Sequence, residues 1–177
     1  ISLKNFMAGF ISGVTGKKGL MTLEEAGITA QTKMQQIKAK TMETKYGDNK
    51  KKGEDFMAAN KKKDGVKTLP SGVQYKVIKE GKGAIPADTS MVSCHYAGRT
   101  IDGKVFDSSY KNNNGKPVEV NVNQMIPGWT QALTHMPAGS VWEIYVPQDQ
   151  AYGTRDVGTL IKPFSALIFK LELIDVK

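Results

Sequence analysis

Cysteine is nearly absent from this 177-residue chain: Cys94 stands alone, so no internal disulfide can form and the fold must hold by burial and hydrogen bonding. Histidine is almost as scarce, with only His95 and His135, and neither lies in a cluster of Cys or His at metal-ligand spacing. No apolar run approaches the ~18–20 residues that would span a bilayer. There is no phosphate-cradling glycine loop and no Ser-His-Asp arrangement. These absences remove metal, phosphoryl-transfer and nucleophilic chemistry as readings of the pattern. No cofactor is expected.

What is present divides by charge. Residues 1–70 hold 14 Lys against 7 acidic residues, whereas residues 71–177 hold 11 basic against 10 acidic, so nearly all of the formal net charge of +8 belongs to the N-terminal segment. Its clusters, Lys50-Lys51-Lys52 and Lys61-Lys62-Lys63, lack the interleaved aromatic and Arg side chains that stack on or read bases. They read as a solvated helix face, and no nucleic-acid partner is expected.

Three regions follow from periodicity. Phe6, Met7, Phe10, Ile11 and Val14 recur at helical spacing, which predicts a short apolar helix in need of a partner. Thr22-Leu23-Glu24-Glu25 reads as a capping box opening a long helix. Leu23, Ala26, Ala30, Met34, Ile37 and Thr41 form a stripe along it. After Met42 the stripe fades into a charged, exposed arm with glycines at 47 and 53 as candidate bends, ending at Asp64-Gly65. The expected division is therefore 1–42 helical dimerisation segment, 43–65 exposed connecting helix and 66–177 catalytic domain.

Beyond the turn Leu69-Pro70-Ser71-Gly72 the period becomes two. Apolar positions alternate at Val73, Tyr75 and Val77, at Val92, Cys94 and Tyr96, at Trp142, Ile144 and Val146, and at Leu167, Phe169, Leu171 and Leu173. A single short helix is predicted near Gly128–His135. The fold class is α+β: an antiparallel sheet wrapped around a short helix, preceded by a long helical arm. Cys94 reads as a buried strand thiol. His95 and His135 read as structural or surface residues.

Aromatic residues stand beside the turns, at Tyr96, Phe106, Trp129, Tyr152 and Phe169. An aromatic set is more often core than binding site. Its order changes that. The run His95-Tyr96-Ala97-Gly98-Arg99-Thr100-Ile101-Asp102-Gly103-Lys104-Val105-Phe106-Asp107-Ser108-Ser109 continues with Ile126-Pro127-Gly128-Trp129, Ala151-Tyr152-Gly153 and Leu167-Ile168-Phe169. Over residues 66–177 this resembles the FKBP-type peptidyl-prolyl cis-trans isomerases. Leu69 to Ile78, Met136-Pro137-Ala138-Gly139-Ser140 and Trp142 to Pro147 resemble the bacterial macrophage infectivity potentiator branch of that family, which includes periplasmic chaperones.

The resemblance implies a set of roles. Trp129 would form the floor under a substrate proline, with Tyr96, Phe106, Met125, Ile126 and Phe169 as walls and Val118 and Ile161 also touching substrate. Tyr152 would donate its hydroxyl, and Ile126 its backbone amide, to substrate carbonyls. Asp107 would be the polar member facing the twisting amide, either as a fixed charge or by orienting other groups. Many family members carry a Phe where this chain has Val118, so that wall is expected to be thinner. The loop with Arg155, Asp156, Val157, Thr159, Leu160 and Lys162 also differs, which bears on substrate choice and on affinity for macrolides of the rapamycin type.

The same resemblance implies proline-containing polypeptides as substrates, a homodimer through residues 1–42 with chaperone activity from the dimeric cleft, and a place in the periplasm or outer membrane. Any membrane anchor would lie before Ile1. A domain of this fold that has lost catalysis and serves only for docking is the alternative.

Overall fold

The computed structural model describes Gly9 and residues 23–177, with the side chains of 23–27 left aside. The expected apolar helix of Phe6–Val14 and the cap residue Thr22 lie outside the described residues. The chain divides into two compact units, residues 1–44 and 45–177.

One helix, α1 (Leu23–Asn60), enters both units. In the first unit Met34 and Ile37, three positions apart on one face of α1, are 55% and 56% exposed, and Ile28 is 60% exposed. Thr41 and Thr44 turn their hydroxyls back onto the carbonyls of Ile37 and Lys40. The helix runs without interruption through both candidate bends, Gly47 and Gly53. Glycine costs a helix about 1 kcal/mol relative to alanine. Gly53 has a use: a Cβ there would sit 3.2 Å from the Ala166 Cβ, so its absence lets the helix lie close against the loop before the last strand.

In the second unit the sheet has seven strands, β1 (Val66–Thr68), β2 (Gln74–Lys79), β3 (Met91–Thr100), β4 (Val105–Ser108), β5 (Val118–Asn121), β6 (Val141–Val146) and β7 (Leu167–Val176). Their order is β1-β2-β6-β7-β3-β4, with β5 also paired to β3, and all pairings are antiparallel. Two short helices punctuate it, α2 (Ser109–Asn112) and α3 (Pro127–Leu133). Pro127 sits at the start of α3, where its missing N–H costs no hydrogen bond.

The alternation read from the sequence places the core. Val92, Cys94, Ile144, Leu171 and Leu173 are fully buried and pack with Trp129, Ala132 and Leu133 of α3. The fold class is as expected, α+β with the sheet wrapped around one short helix. Cys94 is sealed off and its thiol is pushed up to about 11 by burial, so it is unreactive at neutral pH.

The reading of 43–65 as an exposed arm is corrected at Gly53, Met57 and Asn60, which are buried. The physical reason is that the sheet has a second covered face. Met57 packs with Tyr145 and Ile168, joined by Phe56 and Val66. Gln74, on the polar phase of β2, is likewise buried; its amide donates to the Met57 carbonyl at 2.9 Å and accepts from Asn60 at 3.0 Å. Asn49 secures the same stretch of helix by donating to the Pro163 carbonyl at 2.7 Å.

Candidate functional site

Four aromatic rings meet at the site. Trp129 is 2% and Phe169 4% exposed, and their rings meet edge to face with centroids 5.4 Å apart. Tyr96 packs edge-on against Trp129 at 5.2 Å, and Phe106 against Phe169 at 5.7 Å. Such edge contacts favour the ring quadrupoles and keep each ring in one orientation. Around this floor Tyr96, Phe106, Val118, Met125, Ile126 and Tyr152 are half-buried, while Ile161 is buried. The arrangement is an apolar floor with a partly wetted rim.

Different elements supply these side chains: β3 brings Tyr96, β4 brings Phe106 and Asp107, the start of α3 brings Ile126 and Trp129, and β7 brings Phe169. Gly98 makes the convergence possible. A Cβ on Gly98 would lie 2.7 Å from the Phe106 ring and 2.8 Å from the Phe169 ring, so any side chain there would part them.

The polar groups are few and specific. Tyr96 donates its hydroxyl to Asp107 Oδ2 at 2.8 Å. Burial first, and then that bond to a carboxylate, hold the Tyr96 hydroxyl well above the ordinary tyrosine range. Tyr152 is raised in the same direction by burial and by the negative charge of Asp107. Both are therefore protonated donors at neutral pH. Among the described residues the Tyr152 hydroxyl and the Ile126 amide have no protein acceptor. The Arg155 guanidinium lies over the Tyr152 ring, 5.6 Å from its centroid.

The indole N–H of Trp129 is buried without a partner, a donor already desolvated at the floor. No group of three or more Cys, His, Asp or Glu able to hold a metal occurs among the described residues. The two histidines stand apart from the aromatic floor: His95 stacks on Tyr110 at 4.3 Å, and His135 donates to the carbonyl of Gln131 at 2.9 Å.

Of the side chains expected from the sequence, Tyr96, Phe106, Asp107, Trp129 and Phe169 are joined by direct contacts, and Val118, Met125, Ile126, Tyr152 and Ile161 belong to the same core cluster. Sequence reasoning missed two neighbours. Ser109 is 1% exposed and accepts the Tyr96 backbone amide at 2.9 Å, while Asn112 donates to Asp107 Oδ1 at 2.6 Å. Asn112 sits in an Asn-Asn-Asn run that reads only as a turn. A separate cavity of about 600 Å³, lined by Lys52, Phe56, Ile101, Leu160 and Ala166 among others, contains none of the expected residues.

An aromatic floor, one carboxylate held by a tyrosine and two donors without a protein acceptor thus stand in one domain. Residues 82–174 match the family described as FKBP-type peptidyl-prolyl cis-trans isomerase, and residues 1–77 match the domain amino terminal to it. The chain is 46% identical over 172 residues to the outer membrane protein MIP of Legionella longbeachae, covering 96% of this chain and 73% of that protein. It is 51% identical over 124 residues to the FKBP-type 22 kDa peptidyl-prolyl cis-trans isomerase of Escherichia coli, covering 70% of this chain and 59% of that one. Among solved structures, FkpA from Escherichia coli superposes with a TM-score of 0.71 at 34% identity, covering all of this chain (100%) and 83% of that one. The peptidyl-prolyl cis-trans isomerase of Pseudomonas syringae gives 0.69 at 39%, covering 75% of this chain and 96% of that one. The chain belongs to the FKBP-type peptidyl-prolyl cis-trans isomerase family, in its Mip-like branch.

Proposed function

We propose that the aromatic floor over Trp129 is where this chain catalyses the family's reaction, rotation about the X-Pro amide bond of a polypeptide. The single observation that carries this reading is the combination at one place of a buried Trp129 and a Tyr96-bound Asp107 carboxylate. Rotation breaks no bond; it must lower a resonance barrier of ~18–20 kcal/mol. The planar amide is more dipolar than the twisted one, so a dry aromatic surface favours the twisted form. Fixed donors hold the flanking carbonyls in a turn. An interaction stronger in the twisted state than in the planar one is what accelerates the step.

In this reading the proline ring lies on Trp129, walled by Tyr96, Phe106, Met125, Ile126 and Phe169, with Val118 and Ile161 as further contacts. Tyr152 and the Ile126 amide donate to substrate carbonyls. The test is isomerisation of a short Leu-Pro peptide by the chain and by Asp107→Ala. A fall in kcat/KM of at least about tenfold, equivalent to ~1.4 kcal/mol, is expected; equal activity of the two proteins would leave the docking reading instead. Macrolides of the rapamycin type fit the same floor and should compete with the peptide.

The exposed Met34 and Ile37 on one face of α1 favour a homodimer through residues 1–42, with chaperone activity from the cleft so formed. Light scattering should give about twice the 19.3 kDa chain mass; the monomer mass would remove that part of the reading. A place in the bacterial envelope, periplasm or outer membrane, is supported by the name of the Legionella relative. No described helix is long and apolar enough to cross a membrane. Immunodetection in cell fractions tests that location.

A further inference from the structure

Arg155 stands at the rim of the aromatic site with its charge unanswered. Its guanidinium lies over the Tyr152 ring, 5.6 Å from the centroid. It is held there through one acceptor: the Arg155 backbone N–H and Nε–H both donate to the Tyr152 carbonyl, at 3.1 and 3.4 Å. The turn that carries the pair is tied to its surroundings, since the Gly153 N–H donates to the Gln148 carbonyl at 2.8 Å and the Gly153 carbonyl accepts from the Phe164 N–H at 2.7 Å. The terminal guanidinium nitrogens have no acceptor among the described residues. The neighbouring acid is engaged elsewhere, with Asp156 paired to Lys162 Nζ at 3.2 Å. Asp107 is engaged too, its two oxygens accepting from Tyr96 and Asn112.

We propose that Arg155 is a specificity-determining residue, selecting polypeptides that carry an acidic side chain near the proline but outside the X-Pro pair itself. The inference deepens the site reading above and rests on it. In that reading Tyr152 donates to a substrate carbonyl, so the substrate chain passes beside the ring over which the guanidinium stands. The 5.6 Å between ring and guanidinium is about two residues of extended chain at ~3.3 Å each.

Charge sets which substrate positions feel Arg155. The X-Pro pair lies beside the Asp107 carboxylate, whose field at the Tyr152 hydroxyl outweighs that of Arg155, so an acid in the pair is repelled. One or two residues further out, on the Arg155 side of the ring, the guanidinium is the nearer charge. Its planar fork can hold a carboxylate by two parallel bonds. A guanidinium that only packed on Tyr152 would be indifferent to substrate charge.

The test is kcat/KM of the full chain for peptides with one Leu-Pro bond, in which each of the three positions on either side of that pair is in turn Glu or Gln. At one or more of these positions wild type should favour the Glu peptide about three- to fivefold, the upper range of an exposed ion pair. The ratio should shrink as salt rises from about 20 to about 500 mM. Arg155→Gln should bring it to about one, and Arg155→Lys should restore part of it. Arg155→Glu should reverse the order, so that a Lys peptide outruns its Gln counterpart. A wild-type ratio within about 1.5-fold of unity at every position, or a preference that persists in Arg155→Gln, overturns the Arg155 role alone when Asp107→Ala is impaired. An Asp107→Ala variant as active as wild type overturns the site reading and this inference with it.

Discussion

The two faces of the sheet are finished in opposite ways. On the face of Gly98, Ile144 and Phe169, the rings meet at a site where the Tyr152 hydroxyl and the Ile126 amide have no protein acceptor among the described residues, and the Trp129 and Trp142 indole N–H groups are buried without one. On the other face, Gln74, Tyr145 and Ile168 are closed over by the last turns of α1. There Gln74 is bonded to the Met57 carbonyl and to Asn60, and Tyr145 donates to Glu143 at 2.6 Å, which in turn accepts from Arg99 at 2.5 Å. Unsatisfied donors are costly in a sealed core and useful only where a ligand can meet them. The difference supports the proposed binding role of the first face and shows the second as the anchorage of the helix, where Asn60 Oδ1 is the one buried side-chain atom of that contact without a partner.

That division can be broken by substitution. The largest expected effect is Met57→Ala, which opens the helix-covered face and should cost about 2–5 kcal/mol in denaturant unfolding. Its kcat/KM per folded molecule should match wild type; a matching loss of activity would mean that the faces are not separable.

Next is the alkaline limit set by Cys94, in the core on the face of Gly98. Its thiol is raised to about 11, so between its ordinary value of 9.0 and that point the unfolded chain has released a proton that the folded chain retains. Stability must then fall as pH rises, by up to ~1.4 kcal/mol per pH unit. Cys94→Val should remove that slope in melts taken across the window.

Gly98→Ala comes third. It should cost about 1–3 kcal/mol by overpacking the Phe106 and Phe169 rings, and, unlike Met57→Ala, it should also lower kcat/KM. Full activity in Gly98→Ala would show that ring spacing does not matter to the site.

The smallest effect is Glu143→Gln. Burial works against the Glu143 carboxylate, yet the bonds from Tyr145 and Arg99 prevail and hold it below the usual carboxylate range. A depressed carboxyl stabilises the fold above its unfolded value and loses that contribution as pH falls. The variant should be less stable by about 1 kcal/mol at pH 7, with the gap closing below about pH 4. A gap that stays constant with pH would point to packing rather than charge.

The binding face was the more legible in sequence, and for a physical reason. Its strands are apolar on the core side, so Val92, Cys94, Ile144, Phe169 and Leu171 declare themselves by alternation, and its site residues stand in ordered runs beside turns. The other face is built from residues held by specific tertiary contacts: Gln74 looks like a solvated strand residue, and Met57 and Asn60 sit in a Lys-rich helix without a sustained stripe. Only tertiary pairing reveals them. Asn112 was hidden in the same way, since its role is a single hydrogen bond across a turn. The roles of Trp129 and Asp107, by contrast, came from motif order rather than from periodicity.

The most direct measurement puts a Leu-Pro peptide and the ¹⁵N-labelled chain in one tube. Exchange between the peptide's cis and trans prolyl signals reports catalysis, while the two indole N–H signals report the place. Faster exchange together with a shift of the Trp129 signal, and none of Trp142, is the predicted result. Exchange that stays at the uncatalysed rate, or that quickens while Trp129 is unmoved, would contradict the account.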